Sequence, residues 1–172
     1  MSYRLWTGSA GVALVLVFAA SAGRAADVPG DRVFGGARVE EVYRVHLNRG
    51  DLLLESIMDV IKQRDIRDGA IVTGVGSLSE CTYHWVTSTA ATPEDARKTV
   101  REPMEILGMS GIIADGEPHI HISLSTPNGA FGGHLENGCR VLYLSEFTIL
   151  KFSGPPLTRK PNAAGVGTLQ EK

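Results

Sequence analysis

Three of the chain's five histidines, His119, His121 and His134, are concentrated in one short stretch of the sequence. On a β-strand, residues two apart project from the same face at a spacing of about 6.6 Å, so His119 and His121 can approach one ion. With His134 as a third imidazole, this set predicts a zinc-type site whose fourth position stays open for water or substrate. The alternative is that these histidines are polar residues on a strand and bind no metal.

The turn between the histidines decides whether the third imidazole reaches the first two. Residues 126–129, Thr-Pro-Asn-Gly, have turn composition and predict an antiparallel hairpin. A four-residue loop over these positions sets His121 opposite His134, whereas a two-residue Asn128-Gly129 loop sets His134 diagonal to His121. Both registers keep all three imidazoles on one face, and a loop of odd length would send His134 to the other face.

Catalysis at such a site would also need a proton carrier. Glu102, Glu105 and Glu117 are the candidate general acids or bases, although a solvated surface carboxylate is the favoured interpretation of each. The metal can also be structural, tying strands or subunits together. The catalytic residues therefore stay unassigned, and a structural or binding role is favoured slightly over an enzymatic one.

The first residues of the chain have the composition of an export signal. Arg4 precedes an apolar run over residues 11–18, and small residues follow at Ala20-Ser21-Ala22. The run is shorter than the roughly 18 to 20 residues of a spanning helix, which favours a cleaved signal over an uncleaved anchor. We predict a signal peptide over residues 1–26, a periplasmic or secreted protein, and no stable membrane span after cleavage.

The charge balance argues against nucleic acid as a partner. The sequence has 17 basic and 19 acidic residues, and removing residues 1–26 takes away Arg4 and Arg24 and no acidic residue. That leaves 15 basic residues against 19 acidic ones, a formal net charge of −4, without the basic face that binds phosphates. About 146 residues remain, enough for one compact domain.

Hydrophobic periodicity indicates the elements that must position the histidines. Alternation predicts a strand over residues 39–47, and apolar residues at helical spacing predict a helix over residues 51–65 with Asp51 as its N-cap. Further strands are predicted over residues 70–78, 81–87, 104–113, 118–125, 131–135 and 140–152, with a polar excursion that can hold a short helical turn over residues 91–98. After Ser153 the residues are polar without periodicity, which predicts a disordered tail over residues 153–172.

Cys81 and Cys139 are the only cysteines of the chain. In an oxidising compartment they can form one disulfide. Cysteines on strands are also often small buried hydrophobic residues, so the sequence leaves a disulfide and two separate thiols open.

Several motifs, taken in chain order after one strand and one helix, carry a resemblance to a known family. They are Gly74-Val75-Gly76-Ser77-Leu78-Ser79, Pro103-Met104-Glu105-Ile106-Leu107-Gly108-Met109-Ser110-Gly111, Pro118-His119-Ile120-His121-Ile122-Ser123-Leu124, Gly132-Gly133-His134-Leu135 and Gly138-Cys139. Together they resemble the plants-and-prokaryotes conserved (PPC) domain over residues 40–152, which leaves residues 27–39 as an N-terminal extension. The resemblance implies an α/β (α+β) fold with a mostly antiparallel sheet and a flanking helix, assembled as a homotrimer. For some prokaryotic members it also implies a metal, with zinc expected, at the histidines that match His119, His121 and His134.

Three hypotheses about function follow. The first is an exported trimeric PPC-like module whose histidine site holds zinc in a binding or structural role, with a small molecule as a further ligand. The alternative is a metal-dependent hydrolase or lyase that acts on a small substrate. The second alternative is a DNA-binding protein, because plant relatives join the domain to AT-hooks and bacterial relatives are often labelled DNA-binding. This sequence has no Arg-Gly-Arg-Pro hook.

Overall fold

The computed structural model describes residues 33–172. The predicted signal peptide over residues 1–26 lies outside the described residues, as do residues 27–32 of the predicted N-terminal extension. The described residues contain one helix, α1 (Leu53–Gln63), and no helix among them is long and apolar enough to cross a membrane. Their strands are β1 (Arg38–Asn48), β2 (Gly69–Val86), β3 (Asp95–Val100), β4 (Met104–Ala114), β5 (Glu117–Thr126), β6 (Gly129–Leu135), β7 (Arg140–Ser153), β8 (Leu157–Pro161) and β9 (Gly167–Glu171).

The first seven strands form one antiparallel sheet in the order β1-β7-β2-β4-β5-β6, with β3 paired to β2. The long strand β2 pairs with β4 over its first part and with β3 and β6 beyond it. One rung of the β2–β6 pairing joins His84 to His134. The predicted fold, a mostly antiparallel sheet with one flanking helix, is confirmed.

Helix α1 covers one face of the sheet. Leu53, Ile57 and Ile61 recur at helical spacing and are buried in a common core with strand residues. Fully burying each of these side chains contributes about 1.5–3 kcal/mol. The prediction of Asp51 as N-cap is wrong, because its carboxylate accepts a hydrogen bond from the backbone N–H of Asn48 at 2.8 Å and so closes the turn before the helix.

Strand β5 shows how the sequence sorts side chains between the two faces of the sheet. Ile120, Ile122 and Leu124 are buried in the core, whereas His119 and His121 are exposed. Because successive side chains of a strand point to opposite faces, the histidines lie on the face turned away from the core. We call this surface the outer face.

The polar excursion over residues 91–98 does not contain a helical turn. Residues 95–100 form β3, which pairs with β2 from Val86 to Cys81. The hydroxyl groups of Thr82 and Thr99 are hydrogen-bonded across this pair at 2.8 Å. The strand was missed because its mostly polar residues show no alternation of apolar and polar side chains. They adopt a strand conformation because they pair with β2.

The segment predicted as a disordered tail is folded over residues 157–171. Strands β8 and β9 form a hairpin in which Arg159 is paired with Leu169. The side-chain oxygen of Asn162 accepts hydrogen bonds from the N–H groups of Ala164, at 2.9 Å, and Val166, at 3.0 Å. The prediction of disorder was wrong because it rested on apolar periodicity, and this hairpin is ordered by turn chemistry and polar anchoring.

Polar contacts attach the hairpin to the domain. The carboxylate of Asp68 accepts a hydrogen bond from the N–H of Leu157 at 3.1 Å. The guanidinium of Arg159 donates to the carbonyl oxygens of Ile112 and Glu117, both at 3.1 Å. These carbonyls lie on β4 and β5, so Arg159 is held beside the strands that carry the histidines.

Cys81 on β2 and Cys139, just before β7, are both buried and are paired in a disulfide. Of the two arrangements that the sequence leaves open, the structure has the disulfide. The two cysteines are 58 residues apart in sequence, and closing a loop of that length in the unfolded chain contributes about 4 kcal/mol in the chain-entropy account. The bond fixes β2 to the segment that follows β6.

Candidate metal centre

The hairpin of β5 and β6 has the register of the four-residue loop. Ser125 pairs with Ala130 and His121 pairs with His134, so the first of the two predicted registers is confirmed. His119 lies two residues along β5 on the same outer face. Measured between ring centroids, His134 is 4.9 Å from His119 and 5.7 Å from His121. The structure thus brings the three predicted ligands together.

The spacing of two imidazole nitrogens fits a shared metal ion. His119 Nε2 and His121 Nε2 are 3.3 Å apart. Two nitrogens bound tetrahedrally at the usual zinc–nitrogen distance of about 2.0–2.1 Å would be about 3.3–3.4 Å apart. His134 Nδ1 donates a hydrogen bond to the carbonyl of Leu135 at 3.0 Å, which leaves the lone pair on its Nε2. The 3.3 Å separation therefore suits two ligands of one ion, and His134 has a free nitrogen to offer as a third.

A fourth histidine, His84, joins the cluster and was not predicted as a site residue. His84 pairs with His134 across β2 and β6, and the two rings are stacked with their centroids 4.4 Å apart. The contact depends on a pairing between strands that are distant in sequence. The only signal in the sequence was a histidine on a predicted strand, which by itself indicates nothing about metal.

Glu136 is the carboxylate that the structure places at the cluster. Its Oε1 accepts hydrogen bonds from His84 Nδ1 at 2.5 Å and from the Arg97 guanidinium at 3.0 Å. Burial raises the pKa of Glu136, but the hydrogen bond from His84 and the charge of Arg97 outweigh burial and hold the pKa below its usual range. An ionised Glu136 only accepts, so His84 Nδ1 is the donor and a neutral His84 keeps the lone pair on Nε2.

His84, His134 and Glu136 form a second combination of potential metal ligands. One ligand atom from each of the three lies within 4.8 Å of the others. His134 therefore belongs both to this group and to the predicted set with His119 and His121. The hydrogen bond between His84 and Glu136 is also the arrangement that orients a metal-binding imidazole from outside the first coordination sphere.

The three carboxylates proposed from the sequence lie elsewhere. Glu105 pairs with Ser125 near the far end of the β4–β5 ladder, and Glu102 lies between β3 and β4. Glu117 begins β5, where its backbone carbonyl accepts the hydrogen bond from Arg159. Within residues 33–172, none of the three forms a hydrogen bond or an ion pair with the clustered histidines.

Partial burial favours the neutral form of two of the clustered imidazoles, those of His119 and His134. It is the largest cause that lowers the pKa of His119, and the charges of His134 and Arg159 lower it further. Burial also lowers the pKa of His134, followed by the charge of His84. Both rings are therefore neutral at neutral pH, which is the form that binds a metal.

Residues 34–153 match the Plants and Prokaryotes Conserved (PCC) domain. Among solved structures, a plant- and prokaryote-conserved (PPC) protein from Pyrococcus horikoshii is 27% identical with a TM-score of 0.69, and the match covers 81% of this chain and 97% of that one. A metal-containing protein from Archaeoglobus fulgidus is 24% identical with a TM-score of 0.69, over 80% of this chain and 97% of that one.

Among curated relatives, the bifunctional protein GlmU from Synechococcus sp. is 26% identical over 125 residues, which is 72% of this chain. The chain spans 19% of the length of the two curated relatives that it matches. Strands β8 and β9 lie after residue 153, outside the family match. The match over residues 34–153 shows that the chain belongs to the Plants and Prokaryotes Conserved domain family.

Proposed function

We propose that the chain is an exported, trimeric metal-binding protein that holds zinc at His119, His121 and His134. The observation that carries the proposal is the 3.3 Å distance between His119 Nε2 and His121 Nε2, which suits two ligands of one tetrahedral ion. The metal-containing relative from Archaeoglobus fulgidus supports it. The role is binding or structural, with Glu136 holding His84 against the ligand His134.

A second candidate function, a metal-dependent hydrolase or lyase acting on a small substrate, is favoured by the position of Glu136. Zinc held by three imidazoles supplies Lewis acidity. The Glu136 side chain is ionised, about one-fifth exposed and hydrogen-bonded to His84. Its carboxylate is the candidate proton acceptor beside the cluster, and the hydrogen bonds from His84 and Arg97 fix its position.

Elemental analysis of the purified protein tests the first proposal. We expect about one zinc ion per chain in the wild type and little in a variant with His119→Ala and His121→Ala. A matched control is His46→Ala, because His46 is exposed and bonded to Glu146 instead of lying in the cluster. No metal in the wild type, and no uptake when zinc is added, would contradict the proposal.

An ester such as p-nitrophenyl acetate separates the two candidates. Hydrolysis that requires zinc and is lost in Glu136→Gln at saturating zinc would favour the enzyme. Equal hydrolysis rates in the wild type and in Glu136→Gln, both at the uncatalysed background, would favour the binding or structural role.

Export is proposed from the composition of residues 1–26 and is supported by the Cys81–Cys139 disulfide, because disulfides persist in oxidising compartments. Amino-terminal sequencing of protein recovered outside the cytoplasm tests it. We expect a new amino terminus near residue 26. An intact Met1 on a cytoplasmic product would contradict export.

Assembly as a homotrimer is supported by apolar side chains on the outer face. Val75 and Leu144 are each between about two-fifths and one-half exposed, which is costly for a monomer in water. Light scattering coupled to gel filtration should give three times the mass of one chain. The substitution Val75→Asp should reduce that mass, and a monomeric wild type would contradict the proposal.

A further inference from the structure

A pocket of about 430 Å³ lies beside the histidine cluster, between the outer face of the sheet and the β8–β9 hairpin. The sheet contributes Ser110, Ile112, His119 and His121 to its lining, and the hairpin contributes Arg159 and Leu169. This volume falls within the range of small-molecule sites. The hairpin is not part of the family match, so this wall of the pocket is supplied by the segment that follows the conserved domain.

Arg159 supplies a fixed positive charge to the pocket. Two of its N–H groups donate to the backbone carbonyls of Ile112 and Glu117, which sets the orientation of the guanidinium. A guanidinium has five N–H groups, so three remain for a ligand. In the part of the chain that the structure describes, Arg159 forms no ion pair with a carboxylate. A half-buried cation of this kind suits a small anion, to which it can donate two parallel hydrogen bonds.

Apolar side chains lie on both walls of the pocket. Leu169 is the cross-strand partner of Arg159 and so shares its side of the hairpin. Ile112 is the cross-strand partner of His119 and is about half exposed on the outer face. A ligand in this pocket would therefore meet a guanidinium, two imidazoles and apolar surface.

We propose that this pocket binds a small organic carboxylate. Its carboxylate group pairs with Arg159, and its apolar body packs on Ile112 and Leu169. Its far end faces His119 and His121. Recognition of the anion depends on Arg159 alone. The environment of the ligand's far end, beside His119 and His121, rests on the proposed metal centre.

Benzoate is a suitable probe, with benzamide as its neutral counterpart of similar shape. We expect calorimetry to detect benzoate binding to the zinc-loaded wild type, and benzamide to bind at least tenfold more weakly. Arg159→Gln should weaken benzoate binding by about 10- to 100-fold, the range expected when a charge-assisted hydrogen bond is lost, and Arg159→Lys should weaken it less. Lys160→Gln is the matched control, because it removes one positive charge from an exposed position on the same strand.

Zinc content is measured on the same samples, so failure of the carboxylate pocket can be distinguished from failure of the metal centre. Normal zinc in all variants with no benzoate binding, or with equal binding in wild type and Arg159→Gln, overturns the carboxylate pocket and leaves the metal centre standing. If the wild type holds no zinc, the metal centre fails. Ligand-observed NMR on the metal-free proteins then decides the pocket, which stands if benzoate binding depends on Arg159 and falls if it does not.

Discussion

His121 on β5 lies directly opposite His134 on β6, and His134 lies in turn opposite His84 on β2. The β5–β6 hairpin and the sequence-distant strand β2 therefore present imidazoles in one row on the outer face. Moving the β5–β6 register by one residue would turn His134 to the other face. The cluster is thus a product of strand pairing and of the length of one turn.

Removing the third imidazole tests whether that row binds metal. His134→Ala should lower zinc affinity by more than about 100-fold, because loss of a ligand exceeds the effect of losing an outer-shell partner. Competition with a chromogenic chelator measures the affinity. An unchanged affinity in His134→Ala would exclude His134 from the site, and circular dichroism shows whether the variant is folded.

The Glu136 carboxylate should influence the metal through His84. Glu136→Gln is expected to lower zinc affinity by up to about tenfold, because it removes a negative charge beside the cation and the acceptor that holds His84 against the ligand His134. Glu146→Gln is the control, since Glu146 forms a similar bond to His46 at 3.2 Å away from the cluster. Equal affinities in the two variants would show that Glu136 does not act on the site.

Apolar periodicity predicted most of the strands and the helix, because apolar residues that recur every two or four positions lie on the buried face of one element. The alternation around His119 and His121 predicted their common face, and the turn at residues 126–129 predicted the position of His134. The sequence did not predict His84 or Glu136 as site residues. Their positions depend on the β2–β6 pairing, and no local pattern encodes a pairing between distant strands.

The β8–β9 hairpin shows a second limit of the sequence. Its strands are short and polar, and its order comes from Asn162 in the turn and from the contacts of Arg159 with backbone carbonyls. Composition alone cannot distinguish such a segment from a disordered one. The same was true of β3, whose polar residues become a strand by pairing with β2.

The disulfide should contribute strongly to stability. Replacing Cys81 and Cys139 with serine together should lower the free energy of unfolding by about 2–4 kcal/mol, because the unfolded chain regains the freedom of the closed loop. Urea denaturation of the oxidised wild type and the double variant measures the difference. Two titratable thiols in the unreduced wild type, or no loss of stability in the variant, would contradict the assigned bond.

The contact between Asp115 and Lys172, which directly follows β9, should depend on pH. The hydrogen bond from Lys172 is the main cause that lowers the pKa of Asp115, against a smaller opposing effect of burial, and Arg67 lowers it further. Because the folded pKa lies below the unfolded value of about 3.9, the stabilisation is present above that pH and is lost as the pH falls through the folded pKa.

Hydrogen exchange of the β9 amides, compared with Asp115→Asn at each pH, measures this effect. We expect greater protection in the wild type at about pH 5 to 7, with the difference disappearing as the pH falls below about 4. The contribution is small, since the groups are exposed. Equal protection in both proteins at every pH would show that the contact does not hold the hairpin.

Anomalous diffraction at the zinc absorption edge, on crystals of the wild-type protein, would identify the metal and its ligands directly. We expect one peak per chain at about 2.0–2.1 Å from Nε2 of His119, His121 and His134. A peak bound instead by His84, His134 and Glu136, or no peak in crystals grown with added zinc, would contradict it.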